Sequence, residues 1–207
     1  MITHDTLFSL LEEYYRDEVM RTNCTPVMTE NVENHLHLVA DFFVPRSGGG
    51  RDKRKIGLFI EGGTGVGKTT MLRAINKLCC HLIDRRLLQS YDGDKYPHVV
   101  MATEIARMSV QNLEAYELLK NCDRLIIDDL GMEPTEVMSY GMPLHPIEDL
   151  LAYRYERRAK TVVATNFPYS ILFCYSANSS PKYKDPRLED RIHETMHVVG
   201  FRGRSFR

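Results

Sequence analysis

The sequence lacks a long hydrophobic run, a basic hydrophobic leader and a paired-cysteine motif. No apolar stretch approaches the 18 residues of a membrane-spanning helix. The amino-terminal segment MITHDTLFSLLEE carries acidic residues where a signal peptide is basic. The five cysteines are odd in number and form no C-x-x-C pair, which is typical of reduced thiols. We therefore expect a cytoplasmic protein with no membrane partner.

A strong net charge is also lacking. The formal charge is −1 over 207 residues, so no global field favours a polyanionic partner. Residues 1–50 hold eight acidic side chains against three basic ones, whereas residues 182–207 hold seven basic against four acidic. Any contact with nucleic acid must therefore be local. An apolar fraction of 43% and a charged fraction of 27% exclude disordered and collagen-like chains.

The order of helical and strand patterns predicts a single α/β domain with a short appendage. Apolar residues recur at helical spacing over about 5–20 and 31–43, and the basic stretch 45–55 then interrupts regular structure. We expect a short helical segment at 1–50 and a catalytic core at 51–207. Alternating strands and helices in the core predict a five-stranded parallel sheet with helices on both faces. The predicted strands are Ile56–Ile60, His98–Ala102, Arg124–Asp128, Thr161–Thr165 and Met196–Phe201. Three segments are predicted to be irregular, at 90–97, 131–146 and 175–187, and the last two are long enough to be candidate contact surfaces.

The octapeptide GGTGVGKT at 62–69 fits the Walker A pattern G-x-x-x-x-G-K-[ST]. It lies between a predicted strand and a helix-forming run at 70–88, where backbone N–H groups and the helix dipole bind phosphate. A tight turn is the alternative for a Gly-rich loop alone. We expect Lys68 to reach the β and γ phosphates of ATP and Thr69 to ligate Mg²⁺. The predicted nucleotide-binding residues are Gly62, Gly63, Thr64, Gly65, Val66, Gly67, Lys68, Thr69 and Thr70.

Two adjacent acids follow the apolar strand in LIIDDLG, residues 125–131. Strand alternation sends Asp128 and Asp129 in different directions, so they need different roles. We assign Asp128 to Mg²⁺, opposite Thr69, and Asp129 to the attacking water. A solvated turn at a strand end is the alternative, and Glu133 is a further candidate acid.

A polar amide follows the next buried strand in TVVATNFP, residues 161–168. The neutral side chain of Asn166 can bind a γ-phosphate or the lytic water without adding negative charge. Because ligands bind at the carboxyl ends of parallel strands, this position favours a catalytic role over a simple turn.

Two arginines lie four residues apart in DPRLEDRIHE, residues 185–194, and so on one helical face. Arg187 and Arg191 either form salt bridges to Glu194 or Asp190, or supply an arginine finger to the ATP of a neighbouring subunit. The residues alone leave both interpretations open.

These motifs, with Arg-Tyr-Glu at 154–156 and a terminal GRSFR, together resemble the AAA+ helicase loaders of the DnaC and DnaI type and the related IstB transposition helpers. The resemblance covers about residues 30–207. It implies an AAA+ P-loop NTPase core without a C-terminal helical lid, and Mg-ATP bound between protomers of a homo-oligomer. It also implies a sensor at Asn166 and an arginine finger at Arg191.

The resemblance implies an ATPase that couples its nucleotide state to single-stranded DNA and to a ring-shaped replicative helicase. Two alternative functions are an ATP-dependent helper of a transposase and a P-loop kinase that acts on a small molecule. Tyr183, Phe201 and Phe206 lie among the carboxyl-terminal basic residues and could stack on bases, although Phe201 fits the core better. The basic residues that could contact DNA are Arg51, Lys53, Arg54, Lys55, Lys182, Lys184, Arg202 and Arg204.

Overall fold

A computed structural model describes residues 2–44, 55–88, 97–175 and 180–203. Several predicted features lie outside this part of the chain: most of the linker at 45–55, almost all of the segment at 90–97, and part of the segment at 175–187. Among the candidate DNA-binding residues, this applies to Arg51, Lys53, Arg54, Arg204 and Phe206.

Five parallel strands form the central sheet in the order β2-β3-β6-β1-β7. A separate antiparallel hairpin, β4–β5, follows β3. The strands are β1 (Gly57–Gly62), β2 (His98–Met101), β3 (Arg124–Leu130), β4 (Val137–Ser139), β5 (Met142–Leu144), β6 (Lys160–Thr165) and β7 (Met196–Phe201). The helices are α1 (His4–Met20), α2 (Glu30–Phe43), α3 (Lys68–Asp84), α4 (Ala102–Gln111), α5 (Leu113–Asn121), α6 (Pro146–Glu156), α7 (Tyr169–Phe173) and α8 (Pro186–Thr195).

Helices cover both faces of the sheet, as the sequence predicts. Strand alternation places Leu58 and Ile60 of β1 in a core shared with α1, α2 and α3. Phe59, between them, points into a second core with α4, α5, α6 and α8. No helix follows β7 in the described chain, which ends at Gly203. None of the described helices is long and apolar enough to span a bilayer.

The two amino-terminal helices pack on the same core as the phosphate-loop helix. Threonine side chains cap both, since Thr3 accepts the N–H of Thr6 and Thr29 that of Val32. Leu11 of α1 and Leu36 of α2 are fully buried against α3 and the sheet. The division at residue 50 stays a prediction, because the two helices share a hydrophobic core with the residues after it.

Several elements differ from the predicted ones, and β1 is shifted to Gly57–Gly62. Helix α3 begins at Lys68 and ends at Asp84, instead of covering 70–88. Strand β3 continues past Asp128 to Leu130. The segment 131–146, predicted as irregular, contains the β4–β5 hairpin, whose tip residues Tyr140 and Gly141 both have positive φ. Tyr140 is fully exposed at this tip, and the role of the segment as a contact surface stays a prediction.

A buried arginine holds the amino-terminal ends of two central strands. Arg154 of α6 is 1% exposed, and its guanidinium donates to the carbonyls of Leu119, Cys122 and Lys160 and to the Thr161 hydroxyl. These backbone and hydroxyl oxygens take the place of the water molecules that would otherwise solvate the guanidinium of Arg154. Arg154 therefore acts at the end of the sheet opposite the phosphate loop.

Candidate nucleotide-binding site

The phosphate loop joins the end of β1 to the start of α3. Gly65 and Gly67 have φ values of 85° and 90°, a region that residues with a Cβ rarely adopt. Gly67 directly precedes the first helical residue, Lys68, so that the positive end of the helix dipole faces the loop. Gly62 is glycine for a different reason, because a Cβ there would lie 2.5 Å from the carbonyl oxygen of Phe201 in β7.

Lys68 lies at the centre of the site and is almost buried. Its ammonium donates to the carbonyls of Gly62 and Gly63, at 2.8 Å each, and to Oδ1 of Asn166 at 2.7 Å. Burial lowers the pKa of Lys68, while the charges of Asp129 and Asp128 oppose this shift. All three protons of the Lys68 ammonium are donated to these protein oxygens. The charged oxygens of a bound polyphosphate are stronger acceptors and can replace them.

The backbone at the paired acids is not the regular strand that the alternation argument assumes. The register of β3 against β6 shifts between Ile127 and Leu130, and Asp129 takes the left-handed conformation with φ 53°. Both carboxylates consequently lie near enough to Lys68 to raise its pKa. The two acids have different partners, since Asp128 bonds with the Thr69 side chain and Asp129 accepts from Asn166, and their different roles stay a prediction.

Asp128 and Thr69 lie together beneath the phosphate loop. Burial raises the pKa of Asp128, and a hydrogen bond from the Thr69 side chain opposes that shift. A hydroxyl and a carboxylate are the oxygen ligands that Mg²⁺ takes alongside phosphate and water. The chemistry of this donor pair fits Mg²⁺, and the assignment of Thr69 and Asp128 to the metal stays a prediction.

Asn166 connects the lysine to the second acid. Its Nδ2 donates to Oδ1 of Asp129 at 3.1 Å while its Oδ1 accepts from Lys68. A continuous chain of hydrogen bonds therefore runs from Lys68 through Asn166 to Asp129. A turn-forming asparagine alone does not require either contact.

Glu133, the further candidate acid, has a different position. It is 1% exposed and accepts from the backbone N–H of Gly131 and from the hydroxyl of Tyr183, at 2.9 and 2.6 Å. Burial and the charge of Glu133 raise the pKa of Tyr183. Glu133 therefore organises the loop after β3 and does not line the cleft.

The two arginines of α8 form ion pairs with partners other than the predicted ones. Arg191 pairs with Glu156 at 2.8 Å, and Arg187 with Asp185 at 3.0 Å. Arg191 borders a small recess with Ile56 and Met196, at the amino-terminal ends of the strands. The phosphate loop lies at their carboxyl ends, so the structure does not bring Arg191 to Lys68 of the same chain.

The candidate DNA-binding residues fall into different environments. Tyr183 is 1% exposed, so the prediction that it could stack on bases was wrong, whereas Phe201 is buried as expected. Lys55 donates to the carbonyl of His193, and Lys182 to that of Glu133. Lys184 and Arg202 have exposed positions.

Helix α1 and the segment after it contribute residues that the sequence did not indicate. A cleft of about 540 Å³ lies between the phosphate loop and the end of α1 with the segment that follows it. Tyr15 belongs to the apolar stripe of α1, so its spacing indicated only a core position. The residues that form this second wall are Tyr15, Val19, Thr22, Cys24, Thr25 and Val27.

Similarity to other proteins is found among solved structures. No protein-family model matches the sequence, and neither does any curated protein. The structure of DnaI is 20% identical in sequence, with a TM-score of 0.60, and the match covers 96% of this chain and 93% of that one. The DnaC helicase loader is 18% identical, with a TM-score of 0.53, and 91% of this chain and 98% of that one are covered.

DnaA from Aquifex aeolicus, in a structure bound to AMPPCP, is 16% identical with a TM-score of 0.51. That match covers 84% of this chain and 48% of DnaA. At these identities the similarity concerns the fold. The sheet order, the phosphate loop at the end of β1 and these matches agree, and the chain has the AAA+ P-loop fold seen in DnaI and in the DnaC helicase loader.

Proposed function

We propose that the protein is a Mg²⁺-dependent ATPase. The observation that supports this most strongly is the hydrogen-bonded chain Lys68–Asn166–Asp129 beside a phosphate loop at a helix N-terminus. Lys68 binds the β and γ phosphates, Thr69 and Asp128 hold the metal, and Asp129 accepts a proton from the attacking water. Asn166 positions Asp129 and contacts the γ-phosphate.

At the biological level we propose a helicase loader, acting in DNA replication on single-stranded DNA and a ring-shaped helicase. The basis is the fold, which is shared over nearly the whole chain with the DnaC helicase loader. Among the candidate DNA-binding residues in the described part of the chain, Lys184 and Arg202 have exposed positions that a phosphate backbone can reach. A homo-oligomer in the ATP state completes each site with Arg191 of a neighbour.

The primary test compares nucleotide binding by Lys68→Ala and Arg73→Ala. Both variants remove a positive charge from α3, but Arg73 is exposed and does not line the cleft. Hydrogen bonds to a charged group contribute about 1.5–3 kcal/mol, so Lys68→Ala should weaken binding of a fluorescent ATP analogue by roughly 10- to 100-fold. Arg73→Ala should bind as the wild type does. Equal affinity of Lys68→Ala and the wild type would rule out the proposed site.

A second measurement tests the DNA part of the proposal separately. Anisotropy of a labelled oligonucleotide is recorded with a slowly hydrolysed ATP analogue at two salt concentrations. We expect ATP-dependent binding that weakens as the salt concentration rises, because bound phosphates release counterions. If the oligonucleotide does not bind in the presence of the analogue, the proposed DNA partner is ruled out. The ATPase proposal is not affected by that result.

A further inference from the structure

Helix α1 is fastened to the helix that begins at Lys68. Leu7 and Leu11 of α1 belong to the core that contains α3. The nearly buried carboxylate of Glu18 accepts from Lys77 of α3 at 2.8 Å and from Arg21 at 3.0 Å. These contacts fix the end of α1 relative to the phosphate loop.

One side chain of α1, that of Tyr15, reaches the phosphate loop. Its hydroxyl lies 2.9 Å from the position that a Cβ on Gly67 would occupy, and its Cζ lies 3.8 Å from that position. Tyr15 lines the cleft together with Lys68 and Thr70. Gly67 is therefore required both by its positive φ and by the presence of Tyr15.

Tyr15 is only 5% exposed as a whole, but it lines the cleft, and its hydroxyl bonds to no protein group in the described part of the chain. The preceding residue shows the contrast, because the hydroxyl of Tyr14 is 2.9 Å from Nδ1 of His81. Burial raises the pKa of Tyr15, so that the hydroxyl keeps its proton and can donate it. A phenylalanine would fill the apolar position equally well, whereas the hydroxyl of a tyrosine at this position can donate to a ligand in the cleft.

We propose that Tyr15 is a nucleotide-binding residue whose hydroxyl donates a hydrogen bond to an oxygen of the nucleotide in the cleft. This inference rests on the proposed function, because it requires a nucleotide at the phosphate loop. The acceptor is a phosphate or a ribose oxygen. Through this contact, and through the Glu18–Lys77 pair, occupancy of the site stabilises α1.

The test compares Tyr15→Phe with Tyr14→Phe, two variants that each remove one hydroxyl from neighbouring positions of α1. Affinity for ADP and for a slowly hydrolysed ATP analogue is measured by titration calorimetry. Tyr15→Phe should bind about tenfold more weakly, the effect of losing a hydrogen bond to a charged acceptor. Tyr14→Phe should bind as the wild type does. Without nucleotide, Tyr15→Phe should melt at the wild-type temperature, which separates a binding role from a structural one.

Deoxyribonucleotides locate the acceptor. If the tenfold loss persists with both 2′-deoxy and 3′-deoxy ATP, the acceptor is a phosphate oxygen, and if it disappears with one of them, that ribose hydroxyl is the acceptor. Hydrogen exchange along α1 is a second readout: nucleotide should slow it in the wild type and slow it less in Tyr15→Phe. Equal affinities of Tyr15→Phe and wild type, with Lys68→Ala impaired, overturn this inference alone. A wild type without nucleotide affinity overturns the proposed function as well.

Discussion

Asp129 combines an unusual backbone conformation with a central position in the site. Its φ of 53° is rare for a residue with a Cβ, and asparagine and aspartate adopt it more readily than other such residues. The carboxylate accepts from Asn166, which in turn accepts from Lys68. Because a ligand that takes over the protons of Lys68 frees Asn166, the position of Asp129 depends on what occupies the phosphate loop.

Asp129→Asn should therefore retain nucleotide binding and lose hydrolysis. Asparagine keeps the backbone conformation, but its amide cannot accept a proton, and general-base catalysis contributes about 10²–10⁴ in rate. We expect phosphate release at saturating ATP to fall by at least about 100-fold, with little change in affinity. Asp128→Asn serves as the comparison, and it should instead raise the Mg²⁺ concentration that half-maximal hydrolysis requires. Wild-type turnover in both variants would contradict the role assignments.

At this scale the sequence predicted some residues and missed others for definable reasons. Lys68 and Thr69 were predictable because the Gly-rich pattern, the preceding strand and the following helix together fix one local backbone. The left-handed backbone of Asp129 was not, since the extra residue in β3 depends on its register against β6, whose paired residues lie 35 or 36 positions further along the chain. The role of Tyr15 was not predictable, because residues in the core and residues that line the cleft recur at the same spacing along α1.

At the scale of elements, α2 and β7 are joined through a histidine. The ring of His35 stacks on Phe201 with a centroid distance of 4.0 Å, and its Nε2 accepts the backbone N–H of Arg202 at 3.0 Å. Burial lowers the pKa of His35 below its ordinary value of 6.5. The ring accepts this N–H only while Nε2 carries no proton.

This contact predicts a loss of stability in mild acid. The unfolded chain binds a proton at His35 more readily than the folded chain does, so unfolding becomes more favourable as the pH falls below about 6.5. The stabilising contribution of neutral His35 is complete above about pH 6.5. It is lost as the pH falls through the pKa that His35 has in the folded protein. His35→Gln keeps an acceptor and does not titrate, so its melting temperature should fall less than that of the wild type between pH 7 and pH 5. His193→Gln, at an exposed position, should behave as the wild type, and a wild-type pH profile for His35→Gln would refute the prediction.

Elements with a strong apolar period were predictable, and elements that depend on distant partners were not. The five parallel strands were predictable from short apolar runs. Successive side chains of such a run alternate between the two cores. The β4–β5 hairpin was missed because its strands are three residues long and include Pro143, while Tyr140 occupies a turn position that usually carries Asn, Asp or Gly. Nor did the pattern of α1 indicate that its end and the segment after it line the cleft at the phosphate loop.

At the scale of the whole molecule, the candidate finger and the nucleotide cleft lie at opposite ends of the sheet. Arg191 borders Ile56 and Met196, whereas the cleft is formed by the loop after β1. Arg191 is 20% exposed and pairs with Glu156 on the surface, and a surface ion pair of this kind contributes only about 0–1 kcal/mol. The guanidinium also lies over the ring of Tyr155, 5.1 Å from its centroid, so reaching a neighbouring protomer requires the loss of this contact together with the weak ion pair.

Arg191→Ala should bind ATP nearly normally and lose hydrolysis by about 10³-fold, because a finger acts mainly on charge that develops as the phosphoryl group leaves. Glu156→Gln is the matched control: it breaks the same ion pair but leaves the guanidinium, so its turnover should stay close to that of the wild type. A mixture of Arg191→Ala with Lys68→Ala protein should regain partial activity, since an intact cleft on one protomer meets an intact Arg191 on the next. The measurement is phosphate release, with native mass spectrometry to establish that mixed oligomers form. If mixed oligomers form and stay inactive, or if Glu156→Gln is as inactive as Arg191→Ala, then Arg191 acts only within its own chain, through its ion pair.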